Sequence, residues 1–341
     1  MISKIINHSA INSKILAMKR NALSEKEYDE LLKLSSVPEV AVYLKENTRY
    51  KSVFSDINAG LIHRGELEAI LKRRLRADIK SILSFSQASV KFFLYLFTIR
   101  EEIDIIKLFL RHILTGSTDF YYKKDSLTEK IFLKLKDAGT FSELAEALVD
   151  TEYYTALKPF IGEPERQNLF EIETALDMMM NKLCIKYINT LLSKEEAKIV
   201  MRSYGIRSDL ELIMFILRSK KYYGFTPKQI YPHINIHTYR LKEEDIKAMA
   251  NANNQEEILN IVKTTPYRRV FSDKADFYEK SISKFILEIH HSLYRKNPYS
   301  IEAILFYIAL KNVEINNITT LIEGIRYGLA PEEIREHLII K

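Results

Sequence analysis

The 341-residue chain has few of the residues that interrupt or cross-link a backbone. Nine Gly and eight Pro are too few for the many tight turns of an all-β protein. The single cysteine, Cys184, excludes an intrachain disulfide, and a lone thiol suits a reducing compartment. There is no signal-peptide core, and the longest apolar run covers only residues 303–310, against the about 20 residues that cross a bilayer. The sequence therefore predicts no direct membrane span.

What the chain has in abundance favours helices. Hydrophobic residues make up 47% and charged residues 28%, an ordinary globular mixture, and Lys, Leu and Glu are good helix formers. No stretch alternates with period two, whereas residues 67–83, 169–192 and 278–293 place apolar side chains at helical spacing. An all-α fold is predicted, with a helical N-terminal arm at 11–34. Capping boxes are predicted at Ser24/Glu27, Thr140/Glu143, Ser193/Glu196 and Ser208/Glu211.

A unit of roughly 105 residues recurs three times. Its first landmark is a short amphipathic helix followed by Thr, any residue and Tyr. Its second is an acidic residue that opens an apolar helix, which a Gly closes 14 or 15 residues later. The Thr–Tyr steps are Thr48-Arg49-Tyr50, Thr151-Glu152-Tyr153 and Thr265-Pro266-Tyr267, and the acid–glycine pairs are Glu102/Gly116, Asp209/Gly224 and Glu314/Gly328.

These landmarks predict local structure and an arrangement. Each glycine suits a left-handed helix end, and Pro227 and Pro331 suit the first position of the following helix. The predicted divisions are 1–125 (arm and first repeat), 126–236 and 237–341. Three like units close into a ring if each turns by about 120°, which would leave a central cavity for an elongated partner.

Residues able to carry catalysis are scarce. Gly60 and Gly65 have the Walker A spacing, but Glu66-Leu67 follows where Lys and Ser/Thr are needed. His233 and His237 could share a metal if helical, but no carboxylate or thiol lies nearby to complete the site. His290-His291 would point to different faces of a helix. Cys184 lies among apolar residues and is predicted to be buried. No catalytic, cofactor-binding or metal-binding residue is predicted.

Candidate partner-binding residues are charged. The run Lys72, Arg73, Arg74 and Arg76 is either a solvated helix face or a surface for an acidic partner. The repeated acids either complement helix dipoles at helix starts or form, with arginines further along the same helices, a polar wall facing the shared centre. A net charge of +6 and a pI near 9.0 also leave open a basic nucleic-acid-binding or adaptor protein. The wall residues would be Glu102, Arg111, Asp209, Arg218, Glu314 and Arg326.

Several segments resemble the C-subunit family of V/A-type rotary ATPases (ATP synthases), equivalent to the d subunit of the eukaryotic V-ATPase. The resemblance spans essentially the whole chain and is most specific in the C-terminal stretch. One departure is Thr319-Thr320, where basic or apolar residues are usual; another is Glu323, often neutral in the family. The segments are Ala10–Lys19, Leu23-Ser24, Tyr28–Leu32, Val37–Leu44 with Tyr50, Glu314–Ile318 and Gly324–Arg335.

The resemblance implies a non-catalytic component of the central stalk. Three similar helical units would form a pseudo-threefold funnel on the cytoplasmic face of the membrane. The funnel would sit on the membrane rotor ring, receive the central shaft, and pass torque for ATP-coupled proton or sodium transport. The resemblance implies no cofactor and no nucleic-acid partner.

Overall fold

The computed structural model describes residues 2–54, 58–83, 88–116, 129–163, 168–234, 238–272 and 274–340. Within these ranges the chain is helical and contains no strand, which confirms the all-α prediction. Short 3₁₀ turns lie at 49–53, 59–61, 158–160, 231–233 and 275–277. The α-helices are α1 (Ile2–Lys19), α2 (Glu25–Leu31), α3 (Val37–Asn47), α4 (Arg64–Leu83), α5 (Ala88–Thr115), α6 (Glu129–Leu135), α7 (Phe141–Ala147), α8 (Tyr154–Leu157), α9 (Leu169–Leu191), α10 (Lys194–Tyr222), α11 (Pro227–Ile230), α12 (Glu243–Asn251), α13 (Gln255–Val262), α14 (Tyr278–Lys296), α15 (Glu302–Tyr327) and α16 (Pro331–His337).

Helix ends follow the predicted chemistry at most positions. Reciprocal hydrogen bonds form the capping boxes at Ser24/Glu27, Thr140/Glu143 and Ser193/Glu196. The box predicted at Ser208/Glu211 is wrong, because both residues lie inside α10. The glycines that end α5, α10 and α15 have φ of 67°, 59° and 67°, a left-handed conformation that favours Gly. Pro227 and Pro331 open α11 and α16, as predicted.

The chain divides into two compact units. One unit comprises residues 1–90, 198–231 and 236–341, and the other comprises 91–197 and 232–235. The division into three repeats at residues 125 and 236 stays a prediction. No helix in the described part of the chain combines the length and apolar character needed to cross a membrane.

In the first unit, both ends of the chain meet at α15. This helix buries residues around its whole circumference and packs against α14, α4, α1, α3 and α16. The ring of Phe306 stacks on Tyr294 and His291 of α14 at centroid distances of 5.0 and 5.2 Å. A helix buried all round must have neighbours on every side, so the N-terminal helices complete the core around the C-terminal one.

The second unit has its own core. Residues of α5, among them Ile106 and Leu110, pack with Leu144 of α7 and Leu176 of α9. Cys184, on α9, is buried as predicted.

Candidate partner interface

The three repeated acids lie well inside long helices. Glu102 is in α5, Asp209 in α10 and Glu314 in α15, each preceded by several helical turns. The reading of these acids as dipole partners at helix starts is therefore wrong, because the dipole effect is confined to the first turn. A carboxylate placed mid-helix and removed from water needs donors from elsewhere in the fold.

Each acid accepts a hydrogen bond from the tyrosine of a Thr–Tyr step. The hydroxyl of Tyr153 donates to Glu102 Oε2, that of Tyr267 donates to Asp209 Oδ2, and that of Tyr50 donates to Glu314 Oε1, all at 2.6 Å. Such hydroxyl–carboxylate bonds are short and charge-assisted. The three Thr–Tyr steps and the three repeated acids thus form the same contact three times.

The pairing is offset by one repeat. The tyrosine of the second predicted repeat meets the acid of the first, and the tyrosine of the third meets the acid of the second. The remaining pair joins Tyr50 near the start of the chain to Glu314 near its end. In the order of the predicted repeats, the last acid is thus paired with the first tyrosine.

The threonine of each step ends the preceding short helix. The hydroxyls of Thr48, Thr151 and Thr265 donate to backbone carbonyls three or four residues earlier, at 2.6 to 2.7 Å. In two copies the same oxygen accepts the backbone N–H of the tyrosine, at 3.2 Å. This exchange satisfies helix-end carbonyls and starts the turn that places the tyrosine.

The carboxylates differ in their remaining donors. Asp209, fully buried, also accepts the backbone N–H groups of Tyr239, Arg240 and Leu241 at 2.7 to 3.1 Å. Glu314, 4% exposed, also accepts the backbone N–H of Leu23 at 2.7 Å and pairs with Lys311.

Glu102 is only partly buried, and among the described residues its carboxylate accepts the hydroxyl of Tyr153. Burial raises the pKa of Glu102, although the Tyr153 bond opposes the shift. Burial, and then the adjacent carboxylate, likewise raises the pKa of each partner tyrosine.

The predicted arginines are more accessible than the acids. Arg111 on α5 donates to both carboxylate oxygens of Glu173 on α9, at 2.7 and 3.1 Å. Arg218 on α10 pairs with Glu279 on α14. Each arginine side chain is 52% exposed and follows its acid by nine residues. These ion pairs tie each long helix to a facing one and leave part of the guanidinium accessible to solvent.

The third copy carries the same ion pair with its charges exchanged. Nine residues after Glu314 stands Glu323, which pairs with Arg64 of α4. Arg64 also bonds Glu68 at 2.7 Å. The departure at Glu323 from the family pattern therefore has a partner inside the chain. Arg326, three residues further on, is 49% exposed and lies 3.7 Å from Glu323.

The side chains of the basic run on α4 differ in their exposure to solvent. Arg74 bonds Asp78 at 2.9 Å and the Ser52 hydroxyl at 2.6 Å. Lys72 is exposed, and Arg73 and Arg76 are partly exposed. Arg74 is thus engaged within the fold, while Lys72 is open to solvent. Partner contact by these residues, and by the other charged candidates, stays a prediction.

A Ser–His–Glu chain was missed from the sequence because its members are far apart. Ser203 Oγ lies 2.9 Å from His290 Nε2, and His290 Nδ1 lies 3.2 Å from Glu302 Oε2. Arg202 donates to the other oxygen of Glu302 at 2.5 Å. Ser203 lies in the interior of α10, where backbone N–H groups are used by the helix and supply no oxyanion hole. The chain satisfies buried polar groups of α10, α14 and α15.

Metal ligands do not converge in the described part of the chain. No group of three or more His, Cys, Asp or Glu side chains there could hold an ion. His233 lies edge-on to Phe170 at 5.2 Å, and burial lowers the pKa of His233. His237 lies outside the described residues.

Comparison with known proteins identifies one family. The sequence profile of the ATP synthase (C/AC39) subunit family matches residues 11–337. The chain belongs to this family. The C/AC39 proteins are structural components of the synthase and do not carry its catalytic sites.

Relatives span nearly the whole C/AC39 chain. It is 25% identical to the C subunit of the A-type ATP synthase of Methanocaldococcus jannaschii, over 99% of this chain and 88% of that protein. It is also 25% identical to the protein of the same name from Methanosarcina mazei, over 98% and 93%. Desulfurococcus sp. has a relative of that name at 24% identity, over 98% and 92%.

Proposed function

We propose that the chain is the central-stalk socket of a V/A-type rotary ATPase. In this role three similar helical units surround a common axis and form a funnel on the cytoplasmic face of the membrane. The funnel receives the tip of the rotating shaft, rests on the membrane rotor ring, and transmits torque for ATP-coupled proton or sodium transport. In this role the chain catalyses no reaction itself.

The observation that carries this proposal is the repeated tyrosine–carboxylate contact. Under the predicted division into repeats, this contact passes from one repeat to the next and joins the last to the first, as a closed head-to-tail arrangement would require. The Tyr50–Glu314 pair supplies that joining contact at 2.6 Å. The match to the C/AC39 profile over residues 11–337 supports the parent complex.

Exposed charge on the long helices supports a polar contact with the shaft. Arg111, Arg218 and Arg326 are each about half exposed. Cations distributed in this way steer and orient a partner more than they hold it. A socket of this kind would bind firmly and still allow assembly and release.

Affinity purification tests the proposal. A tagged chain is expressed in its native host, membranes are solubilised in mild detergent, and bound proteins are identified by mass spectrometry. Shaft, rotor-ring and catalytic subunits of one rotary ATPase should be recovered together. Recovery of nucleic acid or of an unrelated complex, with none of these subunits, would contradict the proposal and favour a basic adaptor.

A charge reversal then tests the shaft contact. Arg326→Glu should weaken binding of the purified shaft subunits and alter its salt dependence. Lys26→Glu, on an exposed residue of α2, makes the same charge change away from the long helices and serves as the control. Equal shaft affinity for Arg326→Glu and the wild type would remove Arg326 from the interface.

A further inference from the structure

A basic groove opens in the first unit between α10, the turn at 264–269 and α14. Its volume is about 620 Å³, and its lining includes Arg202, Arg240, Arg268 and Arg269. The floor is apolar, formed by Ile206, Phe285 and Ile289 among others. None of the described residues that line the groove is acidic.

One repeated position on the long helices differs between this groove and the other two copies. The residue seven positions before the acid is Tyr95 on α5, Arg202 on α10 and Tyr307 on α15. Tyr95 stacks on Tyr187 of α9 at 5.1 Å, with ring planes 7° apart. Tyr307 donates to Asp78 of α4 at 2.8 Å. In two of the three copies an aromatic side chain therefore bridges to the facing helix.

The third member of this set is Arg202, which donates to Glu302 of α15. The corresponding space beside Tyr307 and Tyr50 is only about 10 Å³, compared with about 620 Å³ beside Arg202. Of these two places, the one beside the bridging Tyr307 is nearly filled and the one beside Arg202 is open.

Two of the four groove arginines have no side-chain partner among the described residues. Arg268 and Arg269 are exposed, and their side chains make no hydrogen bond or ion pair with the described residues. The guanidinium of Arg240 lies over the ring of Tyr239 at 5.5 Å. Arginine binds carboxylates through paired N–H donors, so the rim is suited to Asp and Glu side chains.

We propose that this groove binds an acidic amphipathic helix of another polypeptide. The apolar face of such a helix covers the floor, and its carboxylates meet the arginines. A nucleic acid strand is the competing ligand for a basic groove, and the experiment below distinguishes it from a helix. The proposal does not depend on the rotary ATPase assignment.

Fluorescence anisotropy with the full-length chain tests the groove. The probe is a fluorescein-labelled synthetic helix with Leu on one face and Glu on the other, at low ionic strength. Arg268→Glu/Arg269→Glu should weaken binding by about tenfold or more. Arg202→Tyr, which restores the aromatic residue of the other copies, should also weaken it. Thermal unfolding checks that each variant remains folded.

The control is Lys26→Glu/Lys228→Glu, which alters two exposed residues and changes the net charge equally. The control should retain the wild-type affinity. Equal loss in the control, or no binding to the wild type, would overturn the proposal. It would also be overturned if tripolyphosphate or single-stranded DNA bound as tightly as the helix and with the same sensitivity to Arg268→Glu/Arg269→Glu.

Discussion

Removal of one oxygen atom tests the contact that joins the two ends of the chain. Tyr50→Phe deletes the hydroxyl that donates to Glu314 at 2.6 Å and leaves the ring in place. The ring retains its packing, including the ammonium of Lys311 at 5.3 Å from its centroid. The substitution therefore isolates the hydrogen bond from the apolar contacts around it.

The expected loss follows from burial and from the donors that remain. Tyr50 is 3% exposed and Glu314 is 4% exposed. A hydrogen bond to a charged group contributes about 1.5–3 kcal/mol. Glu314 keeps Leu23 and Lys311 as partners, so we expect a loss of about 2 kcal/mol in the free energy of unfolding.

The same change in the other two copies should cost less. Asp209 keeps three backbone donors when Tyr267→Phe removes the fourth, and we expect about 1 kcal/mol. Glu102 is partly exposed, so water can replace the hydroxyl lost in Tyr153→Phe. That variant should lose about 0.5–1 kcal/mol.

Urea unfolding followed by circular dichroism measures these losses. Tyr43→Phe is the matched control, because Tyr43 lies on α3 near Tyr50 and its hydroxyl makes no hydrogen bond to the described residues. The control should stay within about 0.5 kcal/mol of the wild type. A Tyr50→Phe variant as stable as this control would refute the reasoning.

Three further changes test other contacts, each by unfolding measurements. Burial raises the pKa of Glu102 above its ordinary value of 4.5, so the folded chain binds more protons than the unfolded one as pH rises above that value. The stability that this group contributes is therefore lost as pH rises through the folded-state pKa, and Glu102→Gln should gain on the wild type as pH rises above 4.5; a pH-independent difference would contradict this. Gly324→Ala places its Cβ 2.5 Å from Ile334 Cγ1 and should cost about 1–3 kcal/mol, whereas Gly65→Ala meets no atom within 4 Å and should not destabilise. Glu323→Arg should cost about 1 kcal/mol, and Arg64→Glu added to it should recover only part of that loss, because Arg64 also pairs with Glu68; if the two single effects simply add in the double variant, the pair is not coupled.

Local signals in the sequence located several helices and many of their ends. Apolar spacing located α4, α9 and α14 within a few residues, because a buried helical face repeats every 3.6 residues. Gly116, Gly224 and Gly328 marked helix ends because left-handed backbone favours Gly. The three acids were wrongly predicted to lie at helix starts. A charged residue in an apolar segment suggests a helix end as long as the tyrosine that bonds to it is unknown.

The pairs themselves could not be predicted from local patterns. Tyr50 and Glu314 are 264 residues apart, and nothing in either segment specifies the other. One signal was nevertheless present: each repeat has one Thr–Tyr step and one acid, and a buried tyrosine hydroxyl requires an acceptor. The sequence also did not indicate the groove beside Arg202, which depends on what the facing helix leaves open.

The proposed role requires above all that the three repeats close around a shaft. A cryo-electron microscopy map of the detergent-purified complex, with this chain tagged, measures that directly. We predict density for the chain between the rotor ring and the shaft, with the shaft tip enclosed by three superimposable helical units. A chain bound at the periphery of the complex, or units that leave no central space for the shaft, would contradict the proposed role.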